Sequence, residues 1–323
     1  MYEDDTELWY QENSDKGWYK MFIMNIPYFN LDHIYKSGQV FTWQRIDDGK
    51  YIVPFRDKAI KVEQRRDTIS FSCSEEDFYN IWYNYFDLDT PYDSLHFKYR
   101  KLGEYFKVSC NRCSGLHIVK QDLFEIIIAS CLETATSIER TRQMMNNIAE
   151  KCGKKHKQSM RGEVIWYEFP TPEQILKKKS QLTTQDIGYK IDIITGICQD
   201  IVDGWLDLEL LKTMEYDDAV EYLTEFKGIG PKVAQSICLY GLHMMNSFPV
   251  DTHIQQMLER EFDMEYDEWV QWYLSEVDLA NDMGYLRQVL FYNELYPVTE
   301  SNYDWTSEKK KSLYGKTRKR KKK

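Results

Sequence analysis

The sequence predicts an α+β protein in which an antiparallel β-sheet domain near the N-terminus is followed by a larger helical domain. Two patterns indicate this division. Residues 39–73 contain short segments that alternate in side-chain character with period two, separated by polar turns, as antiparallel strands do. From about Gly115 onward, apolar residues recur at helical spacing instead. The length of 323 residues suits about two domains, or one large core with an appended piece.

The strands are predicted in chain order. Residues 41–46 form the first strand, residues 47–50 supply a turn with an Asp-Gly pair, and residues 51–53 form the second strand. Further strands are predicted at residues 59–62 and 69–71, each after a polar turn. Aromatic and β-branched residues in this arrangement are typical of a β-meander.

The helical part begins with a segment that is apolar on nearly every side. Asp122 is suited to cap a helix over residues 123–130, and such a helix is expected to be central and buried. Thr171 followed by Pro172 indicates another helix start, because threonine is a favoured cap and proline is tolerated in the first turn. The remaining helices are predicted from apolar residues at helical spacing, at residues 138–152, 191–201, 217–226 and 286–295.

Charge is distributed unevenly along the chain. The formal net charge is −10, yet the last 18 residues, 306–323, carry ten Lys or Arg and a single acid, Glu308. A short basic segment on an acidic body favours an anionic polymer such as nucleic acid as the partner. A nuclear address or a solubility device would have the same composition, so these alternatives stay open. We expect this segment to be disordered.

The composition also excludes several classes of protein. No apolar run approaches the ~18 residues that a membrane span needs, so no membrane partner is expected. Residues 1–5 have neither the basic nor the apolar region of a signal peptide, which favours an intracellular protein. Seven cysteines in a chain long enough to bury a core indicate reduced thiols. Cys110 and Cys113 form one CxxC, but no second pair completes a zinc site, so no metal is predicted.

The segment that indicates the chemistry is residues 223–234, LTEFKGIGPKVA. Gly228 and Gly230 flank one aliphatic residue, and Pro231 stands where a new helix would begin. Glycines at both positions allow a positive φ and let the backbone approach a ligand closely. N–H groups at the start of the new helix are free, and the helix dipole favours an anion there. The pattern predicts a helix–hairpin–helix that holds a DNA phosphate without reading bases, with Ile229 buried in the core.

Lys232 and Asp251 are the candidate catalytic residues. Taken alone, Lys232 is interpretable as a solvated lysine and Asp251 as a helix N-cap. A cation in the first turn opposes the helix dipole, however, so a purely structural sequence gains little from Lys232. A deprotonated lysine is a nucleophile, and a nearby carboxylate can stabilise positive charge developing on a sugar ring. Together the two residues suit cleavage of a glycosidic bond.

The segments GIGPKVA at residues 228–234 and PVDTH at residues 249–253 resemble the helix–hairpin–helix DNA glycosylases with a Gly/Pro-Asp loop. The similarity is to the 8-oxoguanine DNA glycosylases, the branch that keeps the catalytic lysine. Four further motifs occur in the family's order and extend the resemblance over residues 25–298: SGQVFTW at 37–43, QDLFE at 121–125, GYK at 188–190 and QVLF at 288–291.

The resemblance implies the fold, the activity and the partner. The implied domains are an N-terminal β-sheet domain at residues 1–114, an all-helical, two-subdomain glycosylase core with a helix–hairpin–helix at 115–305, and the basic tail at 306–323. The implied activity is that of a bifunctional DNA glycosylase and AP lyase that excises 8-oxoguanine in base excision repair. The implied partner is double-stranded DNA containing a damaged base, bound by a monomer in the nucleus or in a bacterial or archaeal cytoplasm. No cofactor is required.

The resemblance also implies roles for individual residues. Lys232 would attack C1′ of a flipped nucleotide and form a Schiff base before β-elimination, while Asp251 would stabilise the oxocarbenium-like state. The carbonyl of Gly38 would accept the N7–H that 8-oxoguanine has and guanine lacks, and Phe291 would stack on the base. Other pocket positions are Arg287, Gln288 and Ser236. DNA would be bound by Gly228, Gly230, Val233, His253, Tyr189, Lys190 and Arg140, with Tyr189 as the wedge in the duplex.

Several residues depart from the family pattern. Residues 133–138 are ETATSI where the family usually has SSNNNI, so Ala135 replaces the asparagine that faces the orphaned cytosine. Lys190 replaces an arginine and cannot donate two parallel hydrogen bonds as a guanidinium does. We therefore expect a relaxed preference for the base opposite the lesion. Arg287 stands where a glutamine usually reads the base edge, and Ser236 where a cysteine stacks, so lesions other than 8-oxoguanine are also candidates.

Two alternatives to the leading hypothesis stay open at this point. One is a helix–hairpin–helix protein that binds damaged DNA without catalysis, and the other is a glycosylase with shifted lesion or opposite-base specificity. No cysteine follows Cys238, which excludes the four-cysteine iron–sulfur loop of the endonuclease III and adenine glycosylase branches. Lys232 argues against the alkylbase glycosylases, which lack this lysine.

Overall fold

The computed structural model describes residues 6–11, 18–160, 162–276 and 281–296. The predicted basic tail at residues 306–323 lies outside the described residues. An antiparallel sheet comes first along the chain and helices dominate after it, which confirms the predicted α+β class.

Six strands form one antiparallel sheet in the spatial order β1-β2-β6-β5-β4-β3, and two further strands pair as a separate hairpin. Their bounds are β1 Thr6–Gln11, β2 Trp18–Asn25, β3 Gln44–Asp47, β4 Lys50–Phe55, β5 Lys58–Arg65, β6 Thr68–Phe71, β7 Lys155–Ser159 and β8 Glu163–Tyr167. The predicted strands at 51–53, 59–62 and 69–71 lie within β4, β5 and β6, so those predictions are confirmed.

The predicted strand at residues 41–46 is wrong in its first half, because β3 begins at Gln44. The three preceding side chains have different tertiary partners, which holds the backbone in an irregular path. Phe41 packs into the helical part of the protein, Thr42 donates a hydrogen bond to the Glu125 carboxylate at 2.8 Å, and the Trp43 ring N–H donates to the Tyr85 hydroxyl at 2.7 Å.

The β7–β8 hairpin explains why β4 is buried on both faces. Side chains alternate across a strand, so Tyr51 and Val53 face the main core while Ile52 faces the opposite side. Ile52 packs there with Ala59 and with Trp166 of β8. The hairpin therefore covers part of the second face of the sheet through Trp166 and Val164 of β8.

Sixteen α-helices occur within the described ranges, with short π and 3₁₀ segments between some of them. The α-helices are α1 Leu31–Lys36, α2 Glu75–Asp77, α3 Tyr83–Tyr85, α4 Tyr92–Arg100, α5 Glu104–Arg112, α6 Leu123–Glu133, α7 Ile138–Cys152, α8 Pro172–Lys178, α9 Thr184–Ile187, α10 Ile191–Val202, α11 Leu208–Leu211, α12 Tyr216–Thr224, α13 Pro231–Tyr240, α14 Thr252–Met257, α15 Tyr266–Glu276 and α16 Met283–Leu295. The π segments are Phe78–Trp82 and Leu258–Phe262, and the 3₁₀ segments are Lys179–Gln181 and Gly188–Lys190.

The helix starts predicted from capping residues are confirmed. The Asp122 side chain accepts hydrogen bonds from the first-turn amides of α6, and every residue of that helix from 123 to 132 is buried. Thr171 caps α8 in a capping box with Pro172 in the first turn. No helix in the described part of the chain combines the length and the apolar character needed to cross a bilayer.

The buried apolar residues form two large clusters. The first, which we call the sheet core, joins the sheet and its neighbouring helices to α14–α16 and includes Phe22, Trp43 and Leu290. The second, the hairpin core, joins α6–α13 and includes Ile127 and Ala234. The domain boundary between residues 114 and 115 stays a prediction, and apolar packing of the sheet core continues across it.

Candidate active site

The segment between α12 and α13 folds as a tight hairpin whose two glycines differ in conformation. Gly228 has φ +96°, and a Cβ atom at this position would overlap Cγ2 of Ile193, so only glycine fits. Ile229 is buried in the hairpin core, as predicted. Gly230 has φ −90°, so it does not use the positive φ that glycine allows. Nothing lies within 4 Å of where its Cβ would stand, which leaves its backbone open to a ligand.

Helix α13 starts immediately after the hairpin with Pro231 in its first turn. The first i→i−4 bond runs from the Ala234 N–H to the Gly230 carbonyl at 2.9 Å, so the amides of Lys232 and Val233 precede the hydrogen-bond ladder. The Val233 side chain is buried, and its backbone amide is therefore the group that could reach a phosphate. This helix end has the geometry that favours an anion.

The Lys232 side chain is 30% exposed, and its ammonium lies next to a carboxylate. Nζ is 3.6 Å from Oε2 of Glu133, the last residue of α6, whose side chain is 19% exposed. Glu133 was not among the site residues predicted from the sequence. Its one local signal is that an acid at a helix C-terminus opposes the helix dipole.

Asp251 is the N-cap of α14, and both of its carboxylate oxygens are engaged. Oδ1 accepts a hydrogen bond from the Ile254 amide at 2.9 Å, and Oδ2 accepts one from Nη2 of Arg287 at 2.7 Å. The Arg287 guanidinium also donates through Nε to the Pro249 carbonyl at 3.1 Å. The loop that carries Asp251 is thereby fixed to α16.

Arg287 and Gln288, two predicted base-reading residues, are buried and bonded to the protein. Nη1 of Arg287 donates to the Tyr240 hydroxyl at 2.7 Å and to Oε1 of Gln288 at 3.2 Å. The Gln288 amide accepts from the Tyr240 hydroxyl and donates to the Ser37 carbonyl at 2.6 Å. Burial raises the pKa of Tyr240 to about 12, so its hydroxyl stays protonated at neutral pH. Gln288 thus holds the backbone that leads into Gly38.

Gly38 and Phe291, the other predicted base-binding residues, lie against each other. Gly38 has φ +78°, and an added Cβ would stand 2.7 Å from Cδ1 of Ile138 and 3.4 Å from the Phe291 ring. The Arg287 guanidinium lies 4.2 Å from the centroid of that ring. Ser236 is buried one helical turn after Lys232, and its hydroxyl donates to the Lys232 carbonyl at 3.0 Å.

Of the two neighbouring residues predicted to contact the DNA gap, one is exposed and the other is not. The Tyr189 side chain is 75% exposed, as a wedge residue requires, whereas Lys190 is only 3% exposed. The Lys190 ammonium donates to the carbonyls of Leu132 and Thr134 and to the Thr136 hydroxyl. Burial lowers the pKa of Lys190. This conformation does not favour the predicted contact of Lys190 with an opposite base, because its donors already support the 132–136 loop.

The remaining predicted DNA-binding residues lie at or near the surface. Ala135, in the loop after α6, is exposed and has a left-handed φ of +52°. Arg140 donates to the Gln143 side chain at 2.6 Å and to the Gln185 carbonyl at 2.8 Å. His253 is exposed in the first turn of α14.

The comparison with protein families bears on the N-terminal part of the chain. Residues 21–127 match the family described as the 8-oxoguanine DNA glycosylase N-terminal domain. The match runs from β2 into α6, so the similarity to this family lies in the sheet and the helices that directly follow it.

Individual relatives extend this similarity beyond the matched domain. The N-glycosylase/DNA lyase of Saccharomyces cerevisiae is 26% identical over 46% of this chain, but the alignment covers only 42% of that protein. The N-glycosylase/DNA lyase OGG1 of Arabidopsis thaliana is 24% identical over 78% of this chain and 72% of its own length. The 8-oxoguanine glycosylase/lyase of Clostridium acetobutylicum, solved with double-stranded DNA containing cytosine opposite 8-oxoguanine, is 27% identical with a TM-score of 0.75 over 90% of this chain and 97% of that chain.

Within the described ranges, no group of three or more His, Cys, Asp or Glu side chains could hold a metal ion. All seven cysteines are free and buried, and the Cys113 thiol donates to the Ser109 carbonyl at 3.4 Å. Cys110 and Cys113 are thus buried thiols that pack in the sheet core.

Proposed function

We propose that this protein is a bifunctional DNA glycosylase and AP lyase that excises 8-oxoguanine from duplex DNA. The observation that carries the proposal is the position of Lys232, a partly exposed amine in the first turn of the second hairpin helix. A structural role gains little from a cation there, whereas a nucleophile gains a place beside a bound phosphate. The similarity to the C. acetobutylicum enzyme over most of both chains supports this choice of reaction.

In the proposed complex the hairpin holds the DNA backbone near the lesion. The open face of Gly230 and the amides of Lys232 and Val233 would bind one phosphate. Such contacts fix the position of the duplex but carry no sequence information. The exposed Tyr189 ring would fill the gap that the flipped nucleotide leaves in the stack.

The chemistry then proceeds at C1′ of the flipped deoxyribose. The neutral Lys232 amine forms a bond to C1′ while the glycosidic bond breaks and its electron pair leaves with the base. The sugar ring opens to give a Schiff base, and loss of a proton from C2′ expels the 3′ phosphate. Asp251, fixed by Ile254 and Arg287, would stabilise the positive charge on the sugar.

The base would be recognised where Gly38 meets Phe291. The Gly38 carbonyl would accept the N7–H of 8-oxoguanine, and normal guanine would place two acceptors face to face. Gln288 is a positioning residue for this contact, because its amide holds the Ser37 carbonyl at 2.6 Å. The Arg287 guanidinium would act on the base indirectly, because it lies over the Phe291 ring that is proposed to stack on the base.

We also infer relaxed recognition of the opposite base. Ala135 offers only a methyl group, Lys190 is buried, and Arg140 is bonded to Gln143 and to the Gln185 carbonyl. Duplexes that carry 8-oxoguanine opposite each of the four bases would test this inference. We expect comparable cleavage opposite cytosine and adenine, and strict dependence on cytosine would contradict it. The proposed partner is damaged duplex DNA, bound by a monomer in the nucleus or nucleoid.

The Schiff base gives a direct test of the proposed activity. Borohydride added during incubation with 8-oxoguanine duplex should trap the wild-type protein covalently on DNA. Lys232→Gln should abolish trapping while DNA binding, measured by fluorescence anisotropy, stays close to wild type.

The matched control is Lys212→Gln, which removes an exposed lysine paired with Glu209 on the surface. This variant should be trapped as the wild type is. Absence of trapping in the wild-type protein would overturn the lyase proposal, and persistent trapping in Lys232→Gln would assign the nucleophile to another amine.

A further inference from the structure

Glu133 and Lys232 form an ion pair from two helix ends that each disfavour the charge they carry. Glu133 is the last residue of α6, where the dipole disfavours an anion, and Lys232 is in the first turn of α13, where it disfavours a cation. Each charge therefore weakens its own helix. Their separation of 3.6 Å, between Oε2 and Nζ, shows that the two unfavourable placements meet at one point.

The surroundings of Glu133 restrict what its carboxylate can do. The ten residues that precede it in α6 are buried, and its own side chain is 19% exposed. Within the described residues, Lys232 is the ion-pair partner that the Glu133 carboxylate has. The carboxylate therefore makes its ion pair with the amine, while Lys190 and Arg287 act on it only through their charges.

Both oxygens of the Asp251 carboxylate are held by hydrogen bonds. One of its oxygens caps α14 through the Ile254 amide, and the other is bonded to Arg287 at 2.7 Å. A carboxylate held on both oxygens suits electrostatic stabilisation of the sugar cation. Both bonds hold its orientation toward α14 and α16, whereas the Glu133 carboxylate lies 3.6 Å from the Lys232 ammonium.

We propose that Glu133 is a catalytic residue that accepts the proton of the Lys232 ammonium and so generates the nucleophile. The inference rests on the function proposed above for Lys232. It assigns separate tasks to the two acids of the site, with Glu133 moving protons and Asp251 supplying a fixed negative charge.

The proton balance closes within this pair. The Lys232 ammonium gives one proton to Glu133, and the amine lone pair then forms the bond to C1′. The glycosidic bond breaks with its electron pair on the base, and the Glu133 carboxyl gives the proton to that leaving base. Glu133 ends as a carboxylate, the bonded nitrogen carries the positive charge, and a second transfer from this nitrogen to O4′ opens the ring.

The pH dependence of this step also depends on the other titratable groups around Glu133. Those whose charges act within the same cluster are Lys232 and Tyr240 of α13, Lys190 ahead of α10, Arg287 of α16, Asp251 ahead of α14 and Cys131 of α6. Arg287 stays charged at any accessible pH, and burial keeps the hydroxyl of Tyr240 protonated at neutral pH. At neutral pH the charges of Arg287 and Tyr240 are therefore the same in the wild type and in a Glu133 variant.

The test is single-turnover release of 8-oxoguanine from a duplex, with enzyme in excess, across a series of pH values. Glu133→Gln keeps the size of the side chain and an oxygen acceptor for the ammonium but removes the basic group. We expect the rate at neutral pH to fall about 100-fold or more, the range for loss of a general base. We also expect the rate of this variant to rise with pH more steeply than that of the wild type, because hydroxide from solvent then replaces the missing base.

Glu139→Gln is the matched control, because it removes an exposed acid from the first turn of the adjacent helix α7. It should keep the wild-type rate and pH profile. Glu133→Ala provides a second measurement in case the glutamine packs poorly. Added formate should restore part of its rate, and chloride at the same ionic strength should not.

The outcomes separate this inference from the proposed function. A wild-type rate and pH profile in Glu133→Gln, or equal effects of formate and chloride on Glu133→Ala, would overturn the role of Glu133 while borohydride trapping through Lys232 still stood. Failure of the wild-type protein to be trapped would remove the proposed function itself.

Discussion

Adding the same methyl group to the two hairpin glycines should have opposite consequences. Gly228→Ala should destabilise the fold, and Gly230→Ala should leave the fold intact while weakening DNA binding. The contrast arises because Gly228 has a left-handed backbone beside Ile193, whereas Gly230 has an ordinary φ and faces open space.

The cost at Gly228 is the sum of two effects. The left-handed region costs an L-residue about 1–2 kcal/mol, and overpacking against Ile193 costs a further ~1–3 kcal/mol. Reduced entropy of the unfolded chain offsets about 0.4–1 kcal/mol of this. We expect the free energy of unfolding to fall by about 2–4 kcal/mol, and the melting temperature by about 2–4 °C for each kcal/mol.

At Gly230 neither cost applies. Its φ of −90° is available to any residue, and no atom lies within 4 Å of the added Cβ. Stability should be unchanged or higher by up to about 1 kcal/mol. The methyl group would instead stand where a phosphate is proposed to bind. Loss of a hydrogen bond to a charged group is worth about 1.5–3 kcal/mol, so DNA affinity should fall at least ~10-fold.

Urea denaturation and fluorescence anisotropy with a short duplex would measure the two effects separately. Binding should be compared at a temperature where both variants are folded, because unfolding of Gly228→Ala would imitate weak binding. Wild-type DNA affinity in Gly230→Ala would refute the phosphate site at the hairpin. Wild-type stability in Gly228→Ala would refute the steric argument.

Three further predictions concern the residues around the site. Arg287→Ala leaves the Asp251 carboxylate without its buried partner and should lower the free energy of unfolding by about 3 kcal/mol. This is the low end of the range for a broken buried ion pair, because the Asp251 side chain is 16% exposed. An unchanged urea midpoint would contradict this prediction. Tyr189→Ala should change the free energy of unfolding by less than about 0.5 kcal/mol, since the ring is exposed. It should nevertheless slow single-turnover base release. An unchanged rate would argue against the wedge role of Tyr189. Burial raises the pKa of Glu125 from 4.5 to about 8, although the Thr42 hydroxyl donates a hydrogen bond to its carboxylate. Between these two pH values the unfolded chain loses a proton that the folded protein retains. The free energy of unfolding should therefore decrease as pH rises. In urea denaturation of Glu125→Gln, the free energy of unfolding should decrease less between pH 5 and pH 8 than it does in wild type. The difference should be about 1.4 kcal/mol per pH unit, because the titration of one group is missing. Identical slopes for the two proteins would show that Glu125 is ionised in the folded state.

The sequence was sufficient where the signal is local. The cap at Asp122, the capping box at Thr171 and the buried character of α6 each depend on residues within one or two turns. The hairpin was also predictable, because a Gly-aliphatic-Gly segment before a proline constrains its own backbone. Even there, Gly230 turned out not to need a positive φ, since openness to a ligand and backbone strain are separate reasons for a glycine.

The sequence was insufficient where partners lie far apart along the chain. Residues 41–43 alternate as a strand does, yet their contacts with Glu125 and Tyr85 override that pattern. Lys190 occupies a position that the family motif assigns to DNA, but its burial under the 132–136 loop follows from a contact almost sixty residues away. The pairing of Glu133 with Lys232 likewise depends on α6 packing against α13, which no local pattern encodes.

The two apolar cores meet along the helices that carry the proposed nucleophile and its proton acceptor. Lys232 on α13 and Glu133 on α6 lie at helix ends, and both helices pack mainly in the hairpin core. Ile126 of α6 and Tyr240 of α13 pack instead in the sheet core, together with Phe291. Substitutions inside either core should therefore reach the amine through these shared helices, so lesion preference and bond-breaking rate should change together.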